Sequence, residues 1–562
     1  MKKYKRFLSL MLAVLLLLTA CGTVPPDPTN TEQTKATGPS EYIPPFATRP
    51  IMTYPDPATA DMNISCQYLP ATVDNPDNLP VLKWVCLLDR FLCRGNERIW
   101  NDAVAIELNQ MLAERKLPFQ VQFVIYTTDY IYENMDWFVR PEPQADIATA
   151  DLLYVHSISA ERAEDYYMPL TEYAKGNATP SLKNAVPHEI NWQKTSVSGE
   201  VYGISQRLVN VYSKGWTVDE DVLSEHGMTF ADFQKNYWEM DETLKKLNEA
   251  SGNRQLIRIP LDTEFGIMHT DKIWSIYPGI AGDAIDSYFT ALGSVFAVEY
   301  VNNVPTVVNM LDTEITQTIL DAVLRYKEKY GASDNGKTNV KLFADTVLCD
   351  RPYRRVVPSI GETYWDIPVS APYYNAGEHS ALKDCSGVAA ASKYQKEAVT
   401  LLSLIAEDEE FRMQLMYGKE GRDYTIDANG NYSRTKQEDG SFYHMSFLSP
   451  WSHFSGMKGS SFDLPQYEGM TVLETYLEMI ENAEPYYAVP FDFSALQEEL
   501  NAVHQVCRLY FYRYASLTEE KYAEMLNKIN AAGGEKIMKE LQSQLDEWVK
   551  ANPGKPVTPN RQ

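Results

Sequence analysis

The chain has 562 residues, with 51 Lys and Arg against 76 Asp and Glu, for a net charge of −25. The excess of acid is spread along the chain, which argues against direct binding to a nucleic-acid backbone, because phosphates call for a basic patch. Apolar residues make up 44% and aromatic residues 12%; a chain of this length exceeds one small core and suggests two or three lobes.

Lys2, Lys3, Lys5 and Arg6 precede an almost wholly apolar run from Phe7 to Leu18. A basic segment followed by a short apolar one is the pattern of a secretory signal, and the run is shorter than the roughly 20 residues of a bilayer span. Leu18-Thr19-Ala20-Cys21 then resembles a bacterial lipobox, which implies that Cys21 becomes the first mature residue and carries lipid. Residues 1–20 are read as signal peptide. The stretch that follows to Pro50 is rich in Pro, Thr, Ser and Asn, too polar to offset its ordering entropy. Residues 21–75 are read as lipidated cysteine and flexible tether.

Val81 to Leu92 is apolar and rich in strand formers. Trp100, Val104, Leu108, Met111 and Leu112 then recur at helical spacing. Phe119 to Thr128 alternates as a strand does, and Asp146 to Ser157 reads as a third strand. Strand, helix, strand, helical segment, strand implies βαβ units and a parallel sheet, with ligand sites at the carboxyl ends of its strands. Later, Ser392 to Gln395 fits a capping box before Ala398, Val399, Leu402 and Ile405. Ser516 to Glu519 fits another. Ile537, Leu541, Leu545 and Trp548 form an apolar stripe read as core, and 553–562 is read as a flexible tail.

With Cys21 lipidated, six cysteines remain: Cys66, Cys86, Cys93, Cys349, Cys385 and Cys507. No C-x-x-C occurs and the eight histidines are dispersed, so neither a metal nor a cofactor is expected. Cys86 and Cys93 read as small hydrophobes near an early strand. Asp427, Asn429, Asn431, Ser433, Thr435 and Glu438 match the ligand positions of an EF-hand loop, but Tyr432 stands where that loop needs glycine. Asn429-Gly430 reads as a hairpin turn.

Four blocks resemble the extracellular solute-binding proteins (family 1) of carbohydrate-uptake ABC transporters. They are Asp151 to Val155 with Met168 to Ala174, Asn191 to Gln206, Val209 to Met228, and Ser386 to Tyr432. Ser205 stands where proline is common in that family. The resemblance covers about Val81 to Asn552. It implies an α/β, type II periplasmic-binding-protein-like fold of two lobes with a cleft and hinge strands. The first lobe is expected over 76–205 and 366–405, the second over 206–365 and 406–552. Crossings are expected near Tyr202–Val209, Trp365–Ala371 and Ala406–Glu410. The implied function is capture of a saccharide by hinge closure and delivery to the permease subunits of an ABC importer. The implied location is the extracytoplasmic face of the cell membrane, held by lipid on Cys21, and a monomer is expected.

A sugar site calls for aromatic platforms rimmed by carboxylates, amides and Arg. Tyr364 and Trp365 abut the second expected crossing and face opposite ways in an extended segment. Gln206 and Arg207 follow the first crossing, Asp89 and Arg90 end the first strand, Trp451 lies in a loop-rich stretch, and Asp151 begins a strand. No G-x-S-x-G and no H-E-x-x-H occurs, so no catalytic residue is assigned. A binder of a non-sugar ligand such as a peptide, and a tethered glycoside-active enzyme, are the alternatives.

Overall fold

The computed structural model describes residues 64–69, 78–89, 97–98, 102–128, 145–205, 208–250, 273–276, 295–330, 342–357, 362–377, 381–428, 432–436, 442–443, 467, 469–511 and 518–558. Cys21, Arg90, Cys93, Gln206, Arg207 and Trp451 lie outside these.

The first apolar run forms a strand over Val81–Asp89, and the periodic segment after it a helix over Asp102–Glu114 that buries Val104, Leu108 and Leu112. Strands Gln120–Thr128 and Leu152–Ser159 both pair parallel with Val81–Asp89, the sheet of a βαβ unit. Asp146 is not in the third strand. It sits in a helical turn where its carboxylate accepts from Tyr68 Oη (2.5 Å), Tyr126 Oη (2.6 Å) and Lys83 Nζ (3.0 Å). Ala381–Val388 returns antiparallel to Leu152–Ser159, and Ile204–Ser205 pairs with it in turn. Ile64–Tyr68 adds an antiparallel strand on Gln120–Thr128, completing six strands. The tether expected over 21–75 therefore contains a strand of the body, because its backbone finds an open sheet edge there. Trp84 and Cys86 face one core with helices Gln395–Glu407 and Glu409–Tyr417, and Val85 and Leu87 face another. Both faces are covered, as parallel sheets require.

After Leu208 the chain enters a second sheet of four antiparallel strands, in the order Leu342–Val347, Ser213–Asp219, Glu362–Pro368, Tyr353–Val357. Three more strands, Ile273–Ser275, Phe296–Val301 and Val304–Asn309, form a smaller sheet. Their shared core takes Val218, Leu244, Ile319, Leu500, Met525, Ile537, Leu541 and Leu545 from the sheet and from helices Asp241–Ala250, Glu314–Tyr330, Gln497–Phe511, Glu519–Ile529 and Glu535–Ala551.

Several boundaries move. Helix Glu409–Tyr417 puts Phe411, Leu415 and Met416 into the first lobe's core. Arg422, beyond it, pairs with Glu107 at 2.7 Å. The first lobe thus continues past 405, through the hairpin Tyr424–Ile426 and Tyr432–Arg434, and no crossing occurs at Ala406–Glu410. Gly418, at φ +78°, ends that helix, and a Cβ there would stand 2.3 Å from Asp423 Oδ2. Residues 553–558 are not a free tail: Val557 is 3% exposed in the second core, and Pro556 carbonyl accepts from Tyr487 N–H at 2.7 Å. The Ser392 capping box does not form, because its hydroxyl donates to Asp151 at 2.6 Å; the helix begins at Gln395. The later cap is Thr518, whose hydroxyl accepts from Lys521 N–H at 3.3 Å. Among the described residues Cys86, Cys349, Cys385 and Cys507 are buried free thiols.

Candidate functional site

The carboxyl ends of the first sheet converge. Leu87, Val155, Cys385 and Ser205 stand in one row across four strands. Val81–Asp89, Leu152–Ser159 and Ile204–Ser205 run the same way, so Asp89 lies two residues beyond that row, and Ser205 ends its strand at the same edge. The close approach that seats Ser205 rests on Gly203, where a Cβ would stand 2.4 Å from Cys385 Sγ and 2.6 Å from Ser386 carbonyl. Asp151 is at the opposite, amino edge. Its Oδ2 accepts from Lys83 N–H (2.9 Å) and its Oδ1 from Ser392 Oγ (2.6 Å). It is 6% exposed, an acid that pins the strand start, and its position takes it away from the edge where a ligand is expected.

In the second sheet Tyr364 and Trp365 do face opposite ways. Trp365 lies across from Val218 and beside Ile367 on the core face. Its ring is tilted against Phe230 at 4.8 Å between centroids. The carboxyl of Glu220 is held below the usual carboxylate range first by Arg354, with the Trp365 indole donating as well; Arg354 grips it at 2.6 and 2.9 Å. Tyr364 is buried on the other face. That face is polar: Asp366 Oδ1 accepts from Thr217 Oγ1 at 2.7 Å, and Arg355 Nε lies 3.0 Å from Asp366 Oδ2. The Arg355 side chain is 45% exposed and carries more donors than Asp366 uses.

The crossings meet in a small core of Leu208, Val209, Val211, Tyr467, Val472, Tyr476, Met479 and Ile480. Tyr212 and Tyr373 exchange backbone hydrogen bonds at 2.8 and 2.9 Å, so the first two crossings run side by side. The second crossing lies beyond Pro368, because Glu362–Pro368 still belongs to the second sheet. Next to Tyr373–Asn375 runs Glu484–Tyr486, parallel to it, following helix Val472–Asn482. Thr471 and Glu474 cap that helix reciprocally. The Thr-x-x-Glu spacing is its sequence signal; Asn191, Asp350, Arg351 and Tyr476, which hold it, have none. Burial pushes the Tyr467 phenol up, and the neighbouring Asp350 carboxylate adds to this; the Asp350 carboxyl is lowered, its burial being outweighed by donors from Tyr467, Arg351 and Asn482.

No curated protein matches the chain. A family model described as a domain of unknown function (DUF3502) matches residues 487–550, the three C-terminal helices of the second lobe. Among solved structures, the N-glycan transport solute binding protein of Streptococcus pneumoniae is 15% identical, covering 84% of this chain and 99% of that one at a TM-score of 0.56. A family 1 extracellular solute-binding protein of Alicyclobacillus acidocaldarius is 11% identical over 81% and 98% at 0.40. The galacto-N-biose-/lacto-N-biose I-binding protein of Bifidobacterium longum is 11% identical over 86% and 100% at 0.34. The first of these likenesses is close enough to carry an argument about architecture: the chain has the two-lobe, type II periplasmic-binding-protein-like α/β fold.

Proposed function

We propose that the chain is the substrate-binding component of an ABC importer and that it captures a saccharide of oligosaccharide size between its lobes without turning it over. The observation that supports this most is the likeness in fold, over 84% of this chain and 99% of the other, to a solute-binding protein for N-glycan transport. The two crossings paired at Tyr212 and Tyr373, with Glu484–Tyr486 alongside them, give the lobes a hinge. In this reading Asp89, Arg90, Gln206 and Arg207 bind hydroxyls from the carboxyl edge of the first sheet. Arg355 does so from the second lobe, and Trp451 or Tyr364 supplies an aromatic face. A ligand that binds the closed form better than the open one drives closure, and the closed form is what the permease recognises. Lipid on Cys21 holds the binder at the extracytoplasmic membrane face and raises its local concentration at the transporter.

The test is a thermal-shift screen of the purified chain against mono- and oligosaccharides and peptides, followed by calorimetry and product analysis of each hit. A saccharide at 100 times its Kd stabilises by about 2.7 kcal/mol and is recovered intact. Stabilisation by peptides alone, or hydrolysis of the hit, overturns the reading. For the anchor, Cys21→Ser should abolish acyl labelling in intact-mass spectra; persistent label refutes it.

A further inference from the structure

Helix Val472–Asn482 belongs to the second lobe by its polar ties. Arg351, at the end of the second sheet, forms an ion pair with Glu478. Asn482 Nδ2 donates to Asp350 Oδ2 at 3.1 Å. Tyr467, whose N–H donates to Thr475 Oγ1 at 3.3 Å, hydrogen bonds to Asp350 through its hydroxyl, and Arg351 stacks over its ring at 4.3 Å.

The helix also reaches the first lobe. Tyr476 Oη donates to Asn191 Oδ1 at 3.0 Å, in a buried setting. Asn191 is in the 3-10 segment Glu189–Thr195, which is part of the first lobe: Thr195 Oγ1 donates to Gly203 carbonyl at 2.7 Å and Thr195 carbonyl accepts from Tyr202 N–H at 2.9 Å. The same Asn191 Oδ1 accepts from Val209 N–H, in the first crossing, at 2.7 Å. Asn191 Nδ2 donates to His188 carbonyl at 3.0 Å, which fixes the amide plane. Asn191 is 3% exposed and Tyr476 is fully buried.

One oxygen of the first lobe thus holds both a crossing strand and a helix carried by the second lobe. We propose that Asn191 is a positioning residue for lobe rotation: its Oδ1 is the pivot at which the first crossing and helix Val472–Asn482 turn together, so that the lobes move about a single point. A carboxamide suits this, since one oxygen offers two lone pairs to two donors approaching from different elements. Leaving either donor unpaired in a buried place is costly, so rotation that keeps both bonds is favoured over sliding that breaks one. The inference rests on the two-lobe reading but not on the nature of the ligand.

The test compares two variants of the full chain, each lacking one buried phenolic hydroxyl. Tyr476→Phe removes the bond between the lobes; Tyr467→Phe removes a bond within the second lobe and serves as the control. Spin labels carried on non-canonical side chains at exposed positions 114 and 328, one per lobe, report the distance between lobes by pulsed electron resonance, without ligand. The expected result is a broadened, longer distance distribution in Tyr476→Phe, with the ratio of released to held molecules raised about fivefold, equivalent to about 1 kcal/mol for one neutral hydrogen bond. Tyr467→Phe should keep the wild-type distribution although its unfolding midpoint also falls. The same distribution in both variants and wild type, or an equal change in both variants, overturns the pivot. Because no ligand is added, failure of the saccharide reading leaves this outcome unaffected.

Discussion

Trp365→Ala separates packing from ligand contact most directly. The indole lies on the core face of the second sheet, tilted against Phe230 at 4.8 Å, with Val218 across from it and Ile367 beside it. Truncating a buried Trp to Ala costs about 3–5 kcal/mol. Trp365 is half-buried, so the cost should lie at the lower end of that range or below it, at about 2–3 kcal/mol including the loss of the tilted ring contact. For a cooperative unit of 150–250 residues each kcal/mol lowers Tm by about 2–4 °C, which makes a drop of about 4–12 °C in the second lobe's transition. Calorimetry of the unliganded protein measures it, and resolves the lobes if they melt separately. Trp365→Phe keeps a ring against Phe230 and should lose less. A drop below about 2 °C in Trp365→Ala, together with weakened binding of the best saccharide, would refute the packing argument and put this ring in the ligand site.

Two other perturbations act within the first lobe. Gly203→Ala should destabilise strongly or prevent folding, because the added methyl meets Ser386 carbonyl at 2.6 Å and Cys385 Sγ at 2.4 Å, and of these at least the backbone oxygen has nowhere to go; a soluble variant with wild-type Tm would contradict the close approach. Asp146 is pushed up by burial but held below the usual carboxylate range by hydrogen bonds from Tyr126, Tyr68 and Lys83. A lowered carboxyl contributes stability that is present above its unfolded pKa of about 3.9 and is lost as pH falls through the folded value. Asp146→Asn should therefore flatten the acid limb of a Tm-against-pH curve below about pH 4, and an unchanged limb would count against the network.

How much was legible in the sequence follows from the range of each interaction. Alternation in Gln120–Thr128 and a 3.6-residue period in Asp102–Glu114 are local records of burial, and so the strands, helices and βαβ order could be read directly. The adjacency of Tyr364 and Trp365 likewise determined that they face opposite ways. The basic segment, apolar run and Leu-Thr-Ala-Cys order are equally local, and carry the expectation of a lipid anchor on Cys21. Periodicity does not say what covers a face, however. Only the tertiary structure decided that Trp365 turns to Phe230, that helix Glu409–Tyr417 fills the first core rather than the second, and that Val557 plugs a core instead of trailing free. The Ser392 hydroxyl fits a local cap in sequence but meets Asp151, 241 residues away, in space. Asn191 and Tyr476 are 285 residues apart. Such bonds are made by packing once the lobes exist, and a pairing at that separation leaves no period or motif in the chain.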